Sequence, residues 1–475
     1  MEYNIKNNLK DILGRIIKRD FSGNTGIIIK NSIFQFSTNL FSKIGSLLFT
    51  AIIARMLMPE LFGLYSLAFS TITIFATLSE LGTDATLTRF LAREIAKKRQ
   101  NKAKGYTVYL ARLKLTFSLI SIFILVISAR FISDTYYQKP LFLALIAGSL
   151  YIASVMTASY LRAVLQSLNY FKGVFYNEIV FQVVRLIIIP LLILLSLKNL
   201  FSNQVLLFFI ILGFGFAYLV SVIFSWFVHK DKFNYLKKYG KPLDKSEKKN
   251  VRKFIIPTAA TVITTLFFGS IDMVMLGRYV LPEYIGYYRA AFSLIAAITP
   301  LISFSIVLLP VFSKIRKNQL EVGIKKAIYI TLLCSSVLFI FVSLLSPILI
   351  NLIYGTEYSP AINLLRLFSL LLISTPLISI YISYFSARGK PFIVTKMLIF
   401  SLIMNIALNL LVVFLLKGYG DMFMVYGVTA ATIISNWFYF AGLAIIKKRH
   451  DIKLHKEEER NSINFIKPEE SPQIK

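Results

Sequence analysis

The chain has 475 residues, of which 56% are hydrophobic and only 16% are charged, and its mean hydropathy is +0.68. Soluble domains carry about 25% charged residues, so this composition excludes an ordinary water-soluble enzyme and predicts an all-α membrane protein. The net charge of +30 does not indicate nucleic acid binding, because Lys and Arg lie between apolar segments, where they orient the chain and contact anionic membrane lipids. The single cysteine, Cys334, excludes a disulfide framework, and no metal site or cofactor is expected.

The first 26 residues are a predicted cytoplasmic amphipathic segment. Apolar side chains from Ile5 to Ile17 recur at helical spacing, with basic side chains among them. This pattern is typical of a helix that lies on an anionic membrane surface. A signal peptide is not expected, because no uninterrupted apolar core precedes a cleavage site.

Apolar segments of membrane-spanning length follow, since a spanning helix needs about 20 apolar residues. We predict twelve, at approximately 31–54, 61–82, 107–130, 141–162, 174–197, 204–228, 254–277, 286–312, 327–353, 361–386, 392–416 and 422–446. The first six belong to a predicted N-lobe at 27–228 and the last six to a C-lobe at 254–446. A basic cytoplasmic linker at 229–253 joins them, and the cytoplasmic tail at 447–475 is expected to be solvated and partly disordered.

The charges between the spans predict the orientation of the chain. The segments that face one side hold 40 Lys and Arg residues. The other side holds seven, which are Arg55, Arg130, Lys139, Lys198, Arg278, Arg289 and Lys417. Basic residues concentrate in cytoplasmic loops, so we predict a multi-pass protein of the cytoplasmic membrane with both termini in the cytoplasm.

One hairpin occurs twice in the sequence. The matched residues, each pair 223 positions apart, are Arg55 and Arg278, Pro59 and Pro282, Glu60 and Glu283, Gly63 and Gly286, Tyr65 and Tyr288, and Ala68 and Ala291. These six identities in fourteen ungapped positions indicate an internal duplication. Two halves of six helices with the same orientation predict two lobes around a central cavity, the plan of an alternating-access transporter. Proline, glycine and glutamate suit a tight helix connection, so the motif alone does not describe a binding site.

The two hairpins resemble those of the Wzx-type polysaccharide-biosynthesis flippases, in the multidrug/oligosaccharidyl-lipid/polysaccharide (MOP) exporter superfamily. The seventh span, which ends from Ile271-Asp272 to Gly277-Arg278, and the segment from Leu81 to Ala92 are also similar. The resemblance implies a transporter without covalent chemistry, which flips a polyprenyl-(pyro)phosphate-linked oligosaccharide by alternating access for surface polysaccharide or glycoconjugate assembly.

The resemblance also bears on partners and cargo. A coupling cation, H⁺ or Na⁺, and glycan-assembly enzymes are candidate partners. Lipid II flippases of the superfamily carry two further spans, so the twelve predicted here argue against the peptidoglycan precursor as cargo.

A flippase for a lipid-linked phosphate needs positive charge in its cavity, and each charge within a span costs about 2.5–3.5 kcal/mol. Lys43 is the first candidate, because it lies in mid-span on a polar face with Gln35, Asn39 and Ser46. By resemblance, this span lines the cavity, and Asn39 is a candidate beside Lys43. A structural lysine bonded to neighbouring helices is an equal alternative.

Two more arginines are candidates for the cationic cavity. Arg185 shares a helix face with Glu178, and pairing that offsets the cost of burial is the favoured interpretation. Arg366 lies near the outer end of its span, where snorkelling and a cavity role are equally open. Three cations near cytoplasmic span ends are expected to snorkel to the headgroups, namely Arg112, Lys114 and Lys396.

Asp272 is the most specific acidic candidate for a functional residue. It lies deep in the seventh span and, by the resemblance, matches the family's aspartate there. It either takes up a coupling cation, switches a salt bridge, or pairs structurally with a base of the opposite lobe. Glu80 and Glu178 are further coupling or gating candidates, although Glu80 fits a helix-end charge equally well. Asn405 and Asn409 either bind sugar hydroxyls or, as we favour, join helices.

Two other function classes are the alternatives. A cation-coupled multidrug or small-solute antiporter of the same superfamily would have clustered carboxylates in its first lobe, where the spans hold only Glu80 and Glu178 against several cations. A membrane glycosyltransferase or polymerase would need a large loop and paired acids, which the sequence lacks. A major-facilitator transporter would not carry the duplicated Pro-Glu hairpin.

Overall fold

The computed structural model describes residues 23–233, 241–302 and 317–466. Its helices are α1 (Gly23–Glu80), α2 (Thr83–Ala96), α3 (Gln100–Arg130), α4 (Phe142–Ser167), α5 (Phe171–Lys198), α6 (Asn203–Val228), α7 (Lys245–Tyr279), α8 (Pro282–Ile298), α9 (Lys317–Leu344), α10 (Ser346–Ile353), α11 (Ala361–Phe368), α12 (Leu371–Ala387), α13 (Pro391–Leu416) and α14 (Asp421–Ile466). A π-helical turn, Phe131–Tyr137, extends α3, and 3-10 turns cover Thr299–Leu301 and Thr356–Tyr358.

Within the described ranges, ten helical segments are long and apolar enough to cross a membrane, and no strand occurs. One of the ten, Ile29–Ala96, contains the first two predicted spans. The eighth predicted span begins with α8 and runs on into residues 303–316, which lie outside the described ranges. The predicted all-α, multi-span membrane protein is confirmed.

The first hairpin has no loop. Helix α1 is interrupted only at Met58, whose φ of 59° and ψ of 169° break the helix just before Pro59. The second hairpin separates α7 from α8 by two extended residues, Val280 and Leu281. Pro282 then begins α8. Proline is well suited to this position, because a backbone N–H in the first turn has no acceptor within the helix. The prediction of a loop between 54 and 61 is therefore wrong, because a single backbone reversal replaces it.

Two predicted spans are broken helices. The ninth divides at Leu345 into α9 and α10, and Pro347 lies in the first turn of the new helix. The tenth divides at Ser369 and Leu370 into α11 and α12. The apolar run continues through both breaks, so hydropathy alone does not reveal them.

The C-terminal helix is longer than predicted. Helix α14 reaches Ile466, so residues 447–466 of the predicted tail are helical. Lys, Arg and Glu are frequent in this stretch, and all three favour helix. Most of the predicted amphipathic segment (1–22), part of the linker (234–240) and the end of the tail (467–475) lie outside the described residues.

The helices pack as two groups, which we call the first lobe (α1–α6) and the second lobe (α7–α14). Helix α6 packs against α4 and α5 in the first lobe, and α13 packs against α14 in the second. The lobes meet at a seam where α1 packs against α8 and α7. One apolar cluster crosses this seam, with Phe62 and Leu67 on one side and Ile285 and Leu294 on the other. We call the side of the two hairpins the outer side, after the predicted orientation.

Candidate functional site

Asp272 is the centre of a buried polar cluster in the second lobe. Its Oδ2 accepts hydrogen bonds from Tyr288 OH at 3.0 Å and Thr432 Oγ1 at 2.5 Å. Its Oδ1 accepts one from Asn409 Nδ2 at 2.7 Å, and the same amide nitrogen also contacts Asn405 Oδ1 at 3.2 Å. The donors belong to α8, α13 and α14, so one carboxyl group on α7 joins four helices.

The partners of Asp272 are all neutral. Within the part of the chain that the structure describes, no basic side chain pairs with this carboxyl, so the salt bridge considered from the sequence is not formed there. The buried amide oxygen of Asn409 finds no hydrogen-bond partner in the described ranges. A buried carboxylate without a counter-ion carries a large desolvation cost, which a bound proton or cation would relieve. Carboxylate and amide oxygens are also ligands that hard cations prefer.

Arg185 is buried in α5, with 6% of its surface exposed. Its Nη2 donates to Gln182 Oε1, and the guanidinium carbon lies 4.5 Å and 5.1 Å from the ring centres of Phe49 and Phe181. Its Nε has no hydrogen-bond partner among the residues that the structure describes. An arginine held by aromatic faces, with an N–H to spare, is suited to bind an anion.

The pairing expected between Arg185 and Glu178 is indirect. Gln182 lies between them and donates to Glu178 Oε1 at 2.7 Å. The other carboxylate oxygen of Glu178 accepts from Arg162 Nη2, on α4, at 2.9 Å. Because Arg162 neutralises Glu178, the positive charge of Arg185 is left without an ion-pair partner of its own.

Lys114 does not snorkel. Its side chain is 2% exposed and forms a salt bridge with Asp84 of α2, together with a 2.6 Å hydrogen bond to Ser159 Oγ of α4. The prediction was wrong because a carboxylate from another helix lies beside it. Glu80 ends α1 within electrostatic range of this pair, and its gating role stays a prediction.

Lys43 and Asn39 lie on the polar stripe of α1. Asn39 Oδ1 accepts a hydrogen bond from Gln35 Nε2 at 3.1 Å. The side chain of Lys43 is exposed, and it makes no hydrogen bond to any residue that the structure describes. The alternative of a structural lysine therefore lacks, in this part of the chain, the bonds that it requires.

Arg366 lies on α11 and joins it to the start of α10. Its Nε donates to Ser346 Oγ and its Nη1 to Asn363 Oδ1, both at 3.1 Å. The first bond joins the broken ninth and tenth spans and the second stays within α11, which favours a structural role over a place in the cavity.

Arg289 is the cation that the sequence analysis misplaced among outward loop residues. It lies inside α8, seven positions after Pro282 and half-buried. Its charge acts on Tyr65 of the first lobe and on Tyr354 of the second. To the residues that the structure describes, Arg289 makes no hydrogen bond or ion pair. The signal that could have found it is Pro282, because a helix beginning there puts residue 289 about two turns inside.

Tyr65 lies within electrostatic range of two arginines, Arg185 of the first lobe and Arg289 of the second. It is buried in the lobe seam and stacks on Phe214 with ring centres 6.3 Å apart. Sequence spacing alone does not relate these two cations to one tyrosine.

The duplicated hairpins contact each other directly at the outer side. A Cβ atom added to Gly63 would lie 1.7 Å from the carbonyl oxygen of Pro282, and one added to Gly286 would lie 2.2 Å from that of Pro59. Only glycine permits such an approach of backbone to backbone. The two copies of the repeat thus contact each other reciprocally in one interface. Glu283 lies in the first turn of α8, as expected of an acidic residue at a helix start.

Comparison with known proteins identifies the family. The family model for "Polysaccharide biosynthesis protein" matches residues 28–316, more than half of the chain. The chain belongs to this family. It is also 26% identical over 450 residues to an uncharacterised membrane protein of Methanocaldococcus jannaschii, which covers 90% of this chain and all of the relative.

Solved structures of transporters share the fold. A lipid II flippase MurJ in an inward closed conformation matches with a TM-score of 0.65 at 16% identity, over 87% of each chain. A multidrug resistance MATE family transporter of the MOP superfamily, in an inward-facing conformation, matches with a TM-score of 0.64 at 15% identity, over 88% of this chain and 99% of that one. The predicted fold class is confirmed, and these fold neighbours are transporters and flippases.

Proposed function

We propose that this protein flips a polyprenyl-(pyro)phosphate-linked oligosaccharide across the cytoplasmic membrane and makes or breaks no covalent bond. The observation that carries the proposal is the buried, aromatic-lined Arg185 of a member of the polysaccharide biosynthesis family, with Arg289 of the second lobe within electrostatic range of the same seam tyrosine, Tyr65. A planar guanidinium group can donate two parallel hydrogen bonds to the oxygens of one phosphate. A phosphate bound here has one cationic ligand from each lobe.

Binding by both lobes leads to alternating access. A ligand held at the seam becomes exposed to one side of the membrane or the other as the two helix groups rock against each other. The polyprenyl chain stays in lipid, and the exposed stripe of Lys43 and Asn39 on α1 guides the sugar-phosphate toward Arg185. Both termini face the cytoplasm in this scheme, where glycan-assembly enzymes supply the cargo.

Asp272 is the proposed coupling group. Its carboxyl lies in a neutral cluster with the unused amide oxygen of Asn409 nearby, and binding of H⁺ or Na⁺ there would remove a buried charge. Because the four helices that meet at Asp272 include α7 and α8, which form the second lobe's side of the seam, occupancy of the cluster is able to alter the lobe contact. Glu80 and Glu178 are not needed for this step.

A flipping assay tests the cargo. Purified protein in proteoliposomes is given a fluorescent polyprenyl-diphosphate oligosaccharide, and protection of the label from an external quencher is followed. We expect Arg289→Gln to lower the initial rate about tenfold, the loss of one charge-assisted hydrogen bond. Arg112→Gln is the matched control, because Arg112 is an exposed arginine of α3 that also lies within a predicted span.

Two results would contradict the proposal. Protein-dependent flipping that is equal in Arg289→Gln and Arg112→Gln would remove the phosphate from Arg289. Absence of flipping, together with ion-driven efflux of small organic cations, would favour the second candidate. That candidate, a cation-coupled antiporter, is supported by the MATE fold over 88% of the chain and by the buried Asp272.

A further inference from the structure

Arg55 reaches across the seam to the end of a helix in the second lobe. Its Nε donates to the carbonyl oxygen of Ile353 at 3.0 Å, and its Nη2 donates to that of Leu352. The two preceding carbonyls, of Ile350 and Asn351, are already bonded by the backbone amides that follow α10. Arg55 thus supplies donors to the last carbonyls of α10, and its charge faces the negative end of the helix dipole.

Arg278, its repeat partner 223 positions later, does the same in the opposite direction. Its Nη1 donates to the carbonyl oxygens of Thr135 at 2.9 Å and Tyr136 at 2.5 Å. Both carbonyls belong to the π-helical turn that ends the third span of the first lobe. Since α10 ends the third span of the second lobe, each arginine caps the equivalent helix end of the other lobe.

The residue before each arginine repeats the reciprocity. The carbonyl oxygen of Ala54 accepts a hydrogen bond from Tyr358 OH of the second lobe at 2.9 Å. The carbonyl oxygen of Gly277, again 223 positions later, accepts one from Lys139 Nζ of the first lobe at 2.6 Å. In both cases the donor follows the third span of the opposite lobe. Neither Tyr358 nor Lys139 belongs to the sequence repeat, so this correspondence is visible only in three dimensions.

From these contacts we infer that Arg55 and Arg278 are positioning residues that form a pair of pseudo-symmetric latches, holding the outer side of the seam shut. The inference rests on the proposed transport function, because only a protein that alternates between two openings must release such contacts. Every one of the bonds joins a first-lobe residue to a second-lobe residue. All of them have to break before the hairpins separate, and the reciprocal glycine contacts at Gly63 and Gly286 must open with them.

The test measures lobe separation without any cargo. Spin labels are attached at Leu200 and Tyr419, which lie in outer turns of the first and second lobes and are 91% and 72% exposed. Cys334 is first replaced by alanine, since it is a free and exposed cysteine. Distances are then measured by double electron–electron resonance in lipid nanodiscs for the labelled background, Arg55→Met and Arg278→Met.

We expect the background to show mainly a short distance, and each arginine variant to raise the longer, outward-open population by about tenfold. Arg130→Met is the matched control, because Arg130 is an outer-side arginine, 85% exposed, whose 3.6 Å contact with Asp134 stays within its own lobe. Tyr358→Phe and Lys139→Met remove single cross-lobe donors and should shift the distances the same way, even if an arginine variant fails to fold.

Distance distributions of the latch variants that coincide with those of Arg130→Met would overturn the inference. The flipping assay reports separately on the cargo. Shifted distances without flipping would support the latches and contradict the proposed cargo. Flipping with unshifted distances would support the cargo and contradict the latches.

Discussion

Asn409 donates a hydrogen bond to Asp272 over 2.7 Å and joins α13 to α7, although its own buried amide oxygen has no partner among the described residues. The cluster therefore holds a carboxylate and an amide oxygen, both of which are ligands that hard cations prefer. Such a site has a thermodynamic consequence, because a ligand that binds only the folded state raises its stability.

The first prediction concerns the charge of Asp272. Replacing choline by Na⁺ at constant pH should raise the melting temperature of the wild type by a few degrees, and Asp272→Asn should abolish that response while keeping the cluster's shape. Thermal unfolding in detergent measures it. Asp134→Asn, at an exposed outer position, is the control. An equal response in both variants would place cation binding elsewhere.

A second prediction concerns the glycine contacts of the hairpins. Gly286→Ala puts a methyl group 2.2 Å from the carbonyl oxygen of Pro59, so the hairpins must move apart. Overpacking of this kind costs about 1–3 kcal/mol, and we expect a lower melting temperature. Gly269→Ala provides the comparison, because an added Cβ meets nothing within 4 Å there. If the two variants unfold alike, the hairpin contact is looser than described.

The third prediction concerns the buried ion pair of the first lobe. Lys114→Met leaves Asp84 without its counter-ion, and breaking a buried pair on one side costs about 3–5 kcal/mol. Since Asp84 keeps 18% exposure, we expect the lower end of that range, read from chemical or thermal unfolding. Arg112→Met, two positions earlier and exposed, should change stability little. Lys114→Met/Asp84→Asn should recover part of the loss, and failure to do so would argue against charge as the cause.

A fourth prediction concerns His229, which follows α6 and is 3% exposed. Burial lowers the pKa of its imidazole below the ordinary value of 6.5, and among the described residues its Nε2 has no hydrogen-bond partner. The unfolded chain therefore binds a proton at this position more readily than the folded one, so the contribution of His229 to stability is lost as the pH falls from 7 to below the lowered pKa. His229→Phe keeps the edge contact with the ring of Tyr170 and should remove this contribution from the pH profile. A pH profile of the melting temperature that is the same in His229→Phe and in the wild type would refute the idea.

The sequence was informative wherever a single segment decides the outcome. The lengths of the apolar segments and the charged residues between them located the membrane helices, and the 223-residue spacing revealed the duplicated hairpin. The helix breaks at Leu345 and at Ser369 were not predicted, because the chain stays apolar through both. The break at Met58 was not predicted either, since nothing in its side chain signals a backbone with positive φ.

The candidate site was harder to predict from the sequence, because it depends on which helices become neighbours. Asp272 and Arg185 were named from their own burial cost, but their surroundings come from helices far along the chain. Arg289 was counted with the cations of the outer side, whereas it lies inside the helix that begins at Pro282. Lys114 illustrates the same limit, since its partner Asp84 lies on another helix.

The backbone of Met58 makes the two hairpins mechanically unequal. Its φ of 59° and ψ of 169° fall in a region that is nearly reserved for glycine and costs other residues about 1–3 kcal/mol. The second hairpin turns through Val280 and Leu281 without any positive φ. Backbone strain is thus present in the turn of the first hairpin and absent from Val280 and Leu281 in the second. Met58→Gly should raise the melting temperature, because glycine adopts this conformation without that cost, and an unchanged or lower melting temperature would contradict it.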